Sequence, residues 1–245
     1  MLYNIENLIK RRSRGQGYCL LIRSLKIEHG ERIAITGPSG CGKSTVLDTL
    51  GLALRPDEAE RFDFLPCENC GLPVAVMDLW QQKDLDSLAD LRLRYMGYVL
   101  QSGELLPFLD VVENMTLTAR LAGIPKNEAF TDAGHLANSL CVAHLLSAMP
   151  NTLSFGERQR VAIVRALVSR PVVILADEPT ASLDPLHADK VMEAFLTAVE
   201  EYGSTLVLVT HNASWAKKGG LRELPFRLEK NDDGLMAILD DGRDS

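Results

Sequence analysis

The segment Gly37-Pro38-Ser39-Gly40-Cys41-Gly42-Lys43-Ser44-Thr45 carries a lysine and small or hydroxylated residues in the spacing G-x-x-x-x-G-K-[ST]. Glycines let backbone N–H groups curl around a phosphate, and the helix that follows points its positive end at the anion. Lys43 is then placed to reach the β and γ oxygens of a nucleoside triphosphate, and Ser44 offers a hydroxyl to Mg²⁺. A second chemical element is the run Val172 to Ala176, which ends in Asp177-Glu178. Two carboxylates at the carboxyl edge of a parallel strand lie where ligands bind in such sheets. Asp177 suits a Mg²⁺ shell. Glu178 suits the orientation or deprotonation of an attacking water. Standing alone, the same pair would read as acids in a turn before Pro179.

The elements around these residues are legible from their patterning. Ile33 to Thr36 is a short β-branched run that opens after Gly30-Glu31 and closes at Gly37, a buried strand feeding the loop. Ser44 to Leu54 has helix-forming character. Leu206 to Val209 is a further unbroken apolar run of the kind covered on both faces of a sheet. Ser154 to Arg170 has helical spacing and stops before Pro171. Strands alternating with helices predict an α/β fold, a phosphate-loop core on a mostly parallel sheet. Two regions break the alternation. Arg61 to Leu65 and Val74 to Leu79, around a loop at Pro66 to Gly71, are expected as antiparallel strands of a β lobe. Residues of about Ser102 to Met149, with an Asp110-x-x-Glu113 capping pattern and breaks at Gly123 and Pro125, are expected as an inserted helical lobe.

Composition narrows the class. A chain of 245 residues with 46% hydrophobic content can bury one sizeable core. A formal net charge of −7 argues against nonspecific attraction to nucleic acid or anionic lipid. No apolar run approaches the roughly 18 to 20 residues a spanning helix needs, and the start of the chain lacks the charged-then-apolar order of a signal peptide. A cytosolic protein is expected. The five cysteines, odd in number and scattered, are expected as reduced thiols. Cys67-x-x-Cys70 has no second ligand pair for zinc and reads as a turn.

The residues resemble those of the ABC ATPases over nearly the whole chain. Leu153-Ser154-Phe155-Gly156-Glu157-Arg158-Gln159-Arg160 is similar to the family signature, Gln101 to its Q-loop glutamine, Ser182-Leu183-Asp184 to its D-loop, and His211 to its switch histidine. His211 or Gln101 in isolation would read as an ordinary polar residue. The resemblance implies that ATP and Mg²⁺ are bound by residues 37–45 with Gln101 and Asp177, that Glu178 and His211 act in hydrolysis, and that Ser154 and Gly156 bind the γ-phosphate of ATP held by a second chain, with Asp184 beside it. Two chains would then sandwich two nucleotides head to tail, and hydrolysis would reopen the pair. Ser154-x-x-Glu157 is independently a capping box at a helix start whose positive end can face an anion.

Phe155 departs from the family's glycine and would be strained if that position needed φ > 0. The adenine-stacking residue is Tyr18 or, alternatively, Arg12. Cys41 reads as a tolerated small residue, with a reactive thiol as the alternative. Tyr95 to Gln101, continuing through Leu105-Leu106-Pro107 to Asn114, resembles the branch that includes lipoprotein-releasing and macrolide-export ATPases, which implies that Ser102 to Asn114 faces a membrane permease. The expectation is therefore a Mg²⁺-dependent ATPase on the inner face of the cell membrane, paired with a second copy or a related chain, with no nucleic acid partner. The alternatives are a soluble ABC ATPase acting on DNA or ribosomes, and a module that binds ATP without turnover.

Overall fold

The computed structural model describes residues 1–12, 18–38, 40–67, 71–181, 183, 185–211, 213–231 and 234–243. The chain divides into two compact units, Met1–Asp90 with Val207–Ser245, and Leu91–Leu206.

In the first unit, β1 (Tyr3–Arg12) and β2 (Tyr18–Ile27) form an antiparallel pair in the register Tyr3↔Ile27 to Arg12↔Tyr18. Burial alternates along β2 in two stretches one residue out of step, Leu20 and Ile22 and then Leu25 and Ile27. β3 (Arg32–Thr36) is the expected strand before the phosphate loop, and α1 (Lys43–Leu50) the helix after it. The helix is shorter than its composition predicts. Gly51 and Leu52 turn the chain out, Leu52 with φ 53°. Tyr3 fixes this end of α1: it is fully buried, stacks on Phe64 with ring centroids 4.9 Å apart, and donates its hydroxyl to the carbonyl of Leu50 at 2.9 Å. Burial raises the Tyr3 phenol well above its ordinary value.

β4 (Arg61–Phe64) and the two-residue β5 (Val74–Ala75) pair antiparallel, as expected. The strand foreseen over Val74 to Leu79 is otherwise a helix, α2 (Val76–Gln82). Asp78 sits in its first turn, favourable at the positive helix end, and Leu79-Trp80-Gln81-Gln82 continue it, so the apolar residues follow the helical period and not the expected alternation. The expectation of reduced cysteines also needs correction, since Cys67 is disulfide-bonded whereas Cys19, Cys41 and Cys141 are free. Further strands of this unit are β9 (Arg222–Pro225), β10 (Arg227–Asn231) and β11 (Gly234–Asp240). The lobe sheet runs β10-β11-β2-β1-β4-β5, and because β11 lies parallel to β2 the lobe is not wholly antiparallel. β9 pairs parallel with β3.

The second unit carries β6 (Met96–Val99), parallel to β7 (Val173–Asp177), and the helices α4 (Val111–Leu121), α5 (Lys126–Ser139), α6 (Phe155–Leu167) and α7 (Pro185–Glu201). α3 (Leu85–Tyr95) leads into β6 across the division between the units. α4 begins with the capping box read from Asp110 and Glu113. Its Thr118 donates to the carbonyl of Arg165 at 3.2 Å, tying it to α6. A Cβ on Gly97 would overlap the carbonyl of Ala166, so only glycine lets β6 approach the end of α6 this closely. β8 (Thr205–Val209) begins in the second unit, where Thr205 donates to Val172 at 2.8 Å. It ends in the first, where Thr210 donates to Ile35 at 3.3 Å. α8 (Ala213–Lys218) follows. The fold is the expected α/β phosphate-loop ATPase core, with parallel pairing in the core, a β lobe and a helical segment within 102–149. Among the described residues no helix is long and apolar enough to cross a membrane.

Candidate nucleotide site

The phosphate loop joins β3 to α1 in the first unit. Gly40 and Gly42 take φ values of 76° and 100°, the left-handed region that glycine enters without cost. Lys43 is 5% exposed, and its ammonium donates to the carbonyls of Gly37 at 2.9 Å and Pro38 at 2.7 Å. A lysine in an extended search would have to be ordered on binding; here the loop holds it in advance. Ser44 is exposed in the first turn of α1, and Thr45 accepts from Thr49 at 2.8 Å through its backbone carbonyl. Cys41 is 1% exposed, with its Sγ 4.0 Å from the Lys43 ammonium, a buried position that fits the small tolerated residue rather than an accessible thiol. Ser39 lies outside the described residues. A buried ammonium, helix-start N–H groups and a hydroxyl form a donor set matched to a nucleotide's phosphates.

Tyr18, foreseen as the adenine-stacking residue, opens β2 and sends its hydroxyl to the loop itself, donating to the carbonyl of Cys41 at 2.5 Å. The side chain of Arg12 lies outside the described residues. Gly37 has a packing reason as well as a conformational one: a Cβ there would stand 2.9 Å from the Cβ of Phe226, the residue that follows β9. His211 stands exposed just after β8 and Thr210, at the strand end where the sequence placed it.

In the second unit, Asp177 closes β7 and Glu178 follows it with φ 45°. A non-glycine residue in this region stores of order 1–3 kcal/mol and persists only where its surroundings enforce it. The turn that enforces it is closed by the Ala181 N–H donating to the Glu178 carbonyl at 3.1 Å, with Pro179 and Thr180 buried beneath. Gln101 is exposed in the turn after β6. Asp184 lies outside the described residues.

The helix α6 begins as its capping box predicts. Glu157 N–H donates to Ser154 Oγ at 3.3 Å, while Ser154 N–H and Oγ–H donate to the Glu157 carboxylate at 2.8 and 2.7 Å. Those hydrogen bonds to the charged form hold the Glu157 carboxyl below its usual range. Ser154, exposed, and Gly156, half-buried, therefore share the positive start of α6. Phe155 is the first residue of the helix and is absent from the positive-φ residues, so the strain foreseen for it does not arise. Its ring is 43% exposed and lies 5.7 Å from the Arg158 guanidinium. Gly156 has a neighbour that spacing could not reveal: a Cβ there would stand 2.6 Å from Leu183 Cδ2.

Asn114 ends the segment expected to face a partner. It is fully buried, accepts from Leu106 N–H at 2.8 Å and donates to the carbonyls of Leu106, Leu109 and Asp110 at 3.1, 2.9 and 3.0 Å. It thereby clamps the loop that presents Phe108, 72% exposed, to solvent. An asparagine inside a helix is a poor helix former, and that local mismatch was the available signal.

A family model described as ABC transporter matches residues 22–181. The lipoprotein-releasing system ATP-binding protein LolD of Rickettsia conorii is 34% identical over 216 residues, 87% of this chain and 90% of that protein. The LolD of Maricaulis maris is 41% identical over 77% of each. The macrolide export ATP-binding/permease protein MacB of Rhodopirellula baltica is 36% identical over 87% of this chain and 29% of its own length. Among solved structures, the dimeric post-hydrolysis state of the ATP-binding cassette MJ0796 bound to ADP and Pi superposes with a TM-score of 0.76 at 31% identity, covering 91% of this chain and 94% of that one. The chain belongs to the ABC transporter family. It is an ATP-binding and ATP-hydrolysing subunit of a transporter complex.

Proposed function

We propose that the chain binds Mg²⁺-ATP on its phosphate loop, closes head to tail on a second copy or a related chain, and drives a separate permease from the inner face of the cell membrane. The observation that carries this reading is the pair of anion-directed helix starts, α1 with the pre-bonded Lys43 and α6 with Ser154 exposed and Gly156 half-buried at its cap. The first suits the nucleotide of its own chain, and the second suits the γ-phosphate of a nucleotide held by the partner. A cassette likened to a dimer with ADP and Pi supports that arrangement.

In this scheme residues 37–45 bind and orient the phosphates, Lys43 balances their charge, and Tyr18 offers its ring face to the adenine while its hydroxyl steadies the loop. Asp184 joins the nucleotide-binding set by its place in the family's D-loop pattern. Ser44, Gln101 and Asp177 supply hydroxyl, amide and carboxylate oxygens, the hard donors that Mg²⁺ takes, and the ion's charge would stabilise the transferring phosphoryl group. Glu178 orients the attacking water and takes its proton, and His211 contacts the γ-phosphate. Exposed Phe108, on the loop clamped by Asn114, supports Ser102 to Asn114 as the permease-facing surface. The relatives favour a permease of the lipoprotein-releasing or macrolide-export kind. They do not favour action on DNA or ribosomes.

The deciding experiment is affinity purification of the chain from detergent-solubilised membranes with ATP hydrolysis measured on the eluate. A co-purifying permease and ATPase activity are expected. Recovery with ribosomal or DNA-repair proteins instead would overturn the transport reading.

A further inference from the structure

Gln159, within the segment similar to the family signature, lies in the second turn of α6 and is 0% exposed. Its Nε2 donates to the carbonyl of Leu100 at 3.1 Å, and the same carbonyl accepts from the N–H of Gly103 at 3.2 Å. These two bonds enclose Gln101 and Ser102 in a tight turn and fasten that turn to the helix. Gly103 completes the fit. Its φ is 56°, and a Cβ there would stand 2.8 Å from Gln159 Oε1 and 3.1 Å from the Cα and N of the same residue. Among the described residues no donor reaches the buried Oε1 of Gln159, a cost that apolar packing at this position would avoid. Retaining an amide here makes sense for what the other end of it holds.

We propose that Gln159 is a positioning residue for hydrolysis, locking the turn that carries Gln101 onto the helix that presents Ser154 and Gly156, so that both ends of the reaction machinery in this unit move as one body. The inference rests on the proposed roles of Gln101 and Ser154 and adds the coupling between them. Gln159 itself touches neither nucleotide nor metal. It acts through the Leu100 carbonyl and the orientation of the next residue, Gln101. The register follows from the helix: Gln159 lies five residues after Ser154, about one and a half turns along α6.

The test compares steady-state ATP hydrolysis by the full chain with that of Gln159→Leu, Gly103→Ala, Gln101→Ala and the double variant Gln159→Leu/Gln101→Ala, each checked by thermal unfolding. Removing the Gln159 donor is expected to lower kcat by roughly 10- to 100-fold while leaving the ATP KM within about twofold, the pattern of an interaction felt in the transition state. Gly103→Ala keeps Gln159 but displaces the turn and is expected to show the same split. The double variant is expected to be no slower than Gln101→Ala alone, because both substitutions remove one function. Rate losses that multiply, or a raised KM with unchanged kcat, would overturn the proposal. So would failure of both Gln159→Leu and Gly103→Ala to fold, which would make the contact ordinary packing. A wild-type chain that does not hydrolyse ATP sinks the functional reading itself; a hydrolysing wild type matched by Gln159→Leu sinks only the coupling.

Discussion

The hydroxyl of Tyr18 occupies the space into which any side chain at Gly42 would project, and it donates from there to the carbonyl of Cys41 at 2.5 Å. Strand β2 thus fixes the phosphate loop from outside, and Gly42, at φ 100°, is required by both backbone and packing. Gly42→Ala is expected to weaken ATP binding by at least ~10-fold, since left-handed backbone costs an L-residue roughly 1–2 kcal/mol before the clash is counted. Tyr18→Phe removes only the hydrogen bond and is expected to cost about 1 kcal/mol of stability. Nucleotide titration and thermal unfolding of the two variants check both; a Gly42→Ala chain that binds ATP normally contradicts the packing argument.

Strain and chemistry can be separated at Glu178. Glu178→Gln keeps the backbone state and removes the base, and turnover is expected to fall by roughly 100-fold or more while ATP-bound dimers accumulate. Glu178→Asn also removes the base, but asparagine tolerates φ 45° better, so it is expected to unfold at a higher temperature than Glu178→Gln. Calorimetry that shows the opposite order would remove the strain from the account.

At the α6 cap, Gly156→Val is expected to block ATP-driven dimerisation while leaving single-chain nucleotide affinity within about twofold, the split of a surface contact rather than a fold defect. Gly156→Ala should be milder. The atom it meets, Leu183 Cδ2, is the end of a side chain that can rotate, and Leu183→Ala is expected to restore the Gly156→Ala variant. Size-exclusion chromatography with ATP on the Glu178→Gln background measures this; loss of nucleotide affinity in Gly156→Val would refute it.

Far from the nucleotide, Glu31 accepts from Arg222 Nε at 2.6 Å and from Arg243, joining the turn before β3 to β9 and the end of β11. Burial raises the Glu31 carboxyl, but hydrogen bonding and charge from Arg222 and Arg243 outweigh it and the net direction is down. A carboxyl held low in the folded chain stabilises above its unfolded value and loses that contribution as pH falls through the folded one. Glu31→Gln is therefore expected to cost about 1 kcal/mol at neutral pH, discounted for its partial exposure, and progressively less as the medium is acidified below the ordinary glutamate range. Urea unfolding across pH 7 to 3 reads this; a pH-independent difference would contradict it.

The local chemistry was written in the sequence. The phosphate loop, the Asp177-Glu178 strand end and the Ser154-x-x-Glu157 cap are each defined within a few residues, because curling N–H groups around phosphate or capping a helix depends on backbone states that nearby residues set. The tertiary structure decided what those segments meet. The hydrogen bond of Tyr18 to Cys41 spans 23 positions, that of Gln159 to Leu100 spans 59, and that of Arg222 to Glu31 spans 191. No periodicity reports such pairs, since a contact's sequence separation leaves no mark on the pattern of either partner. The same limit hid α2, whose apolar residues fit two periods until packing chose one, and β11, whose parallel place beside β2 pairs residues as distant in sequence as Leu235 and Tyr18.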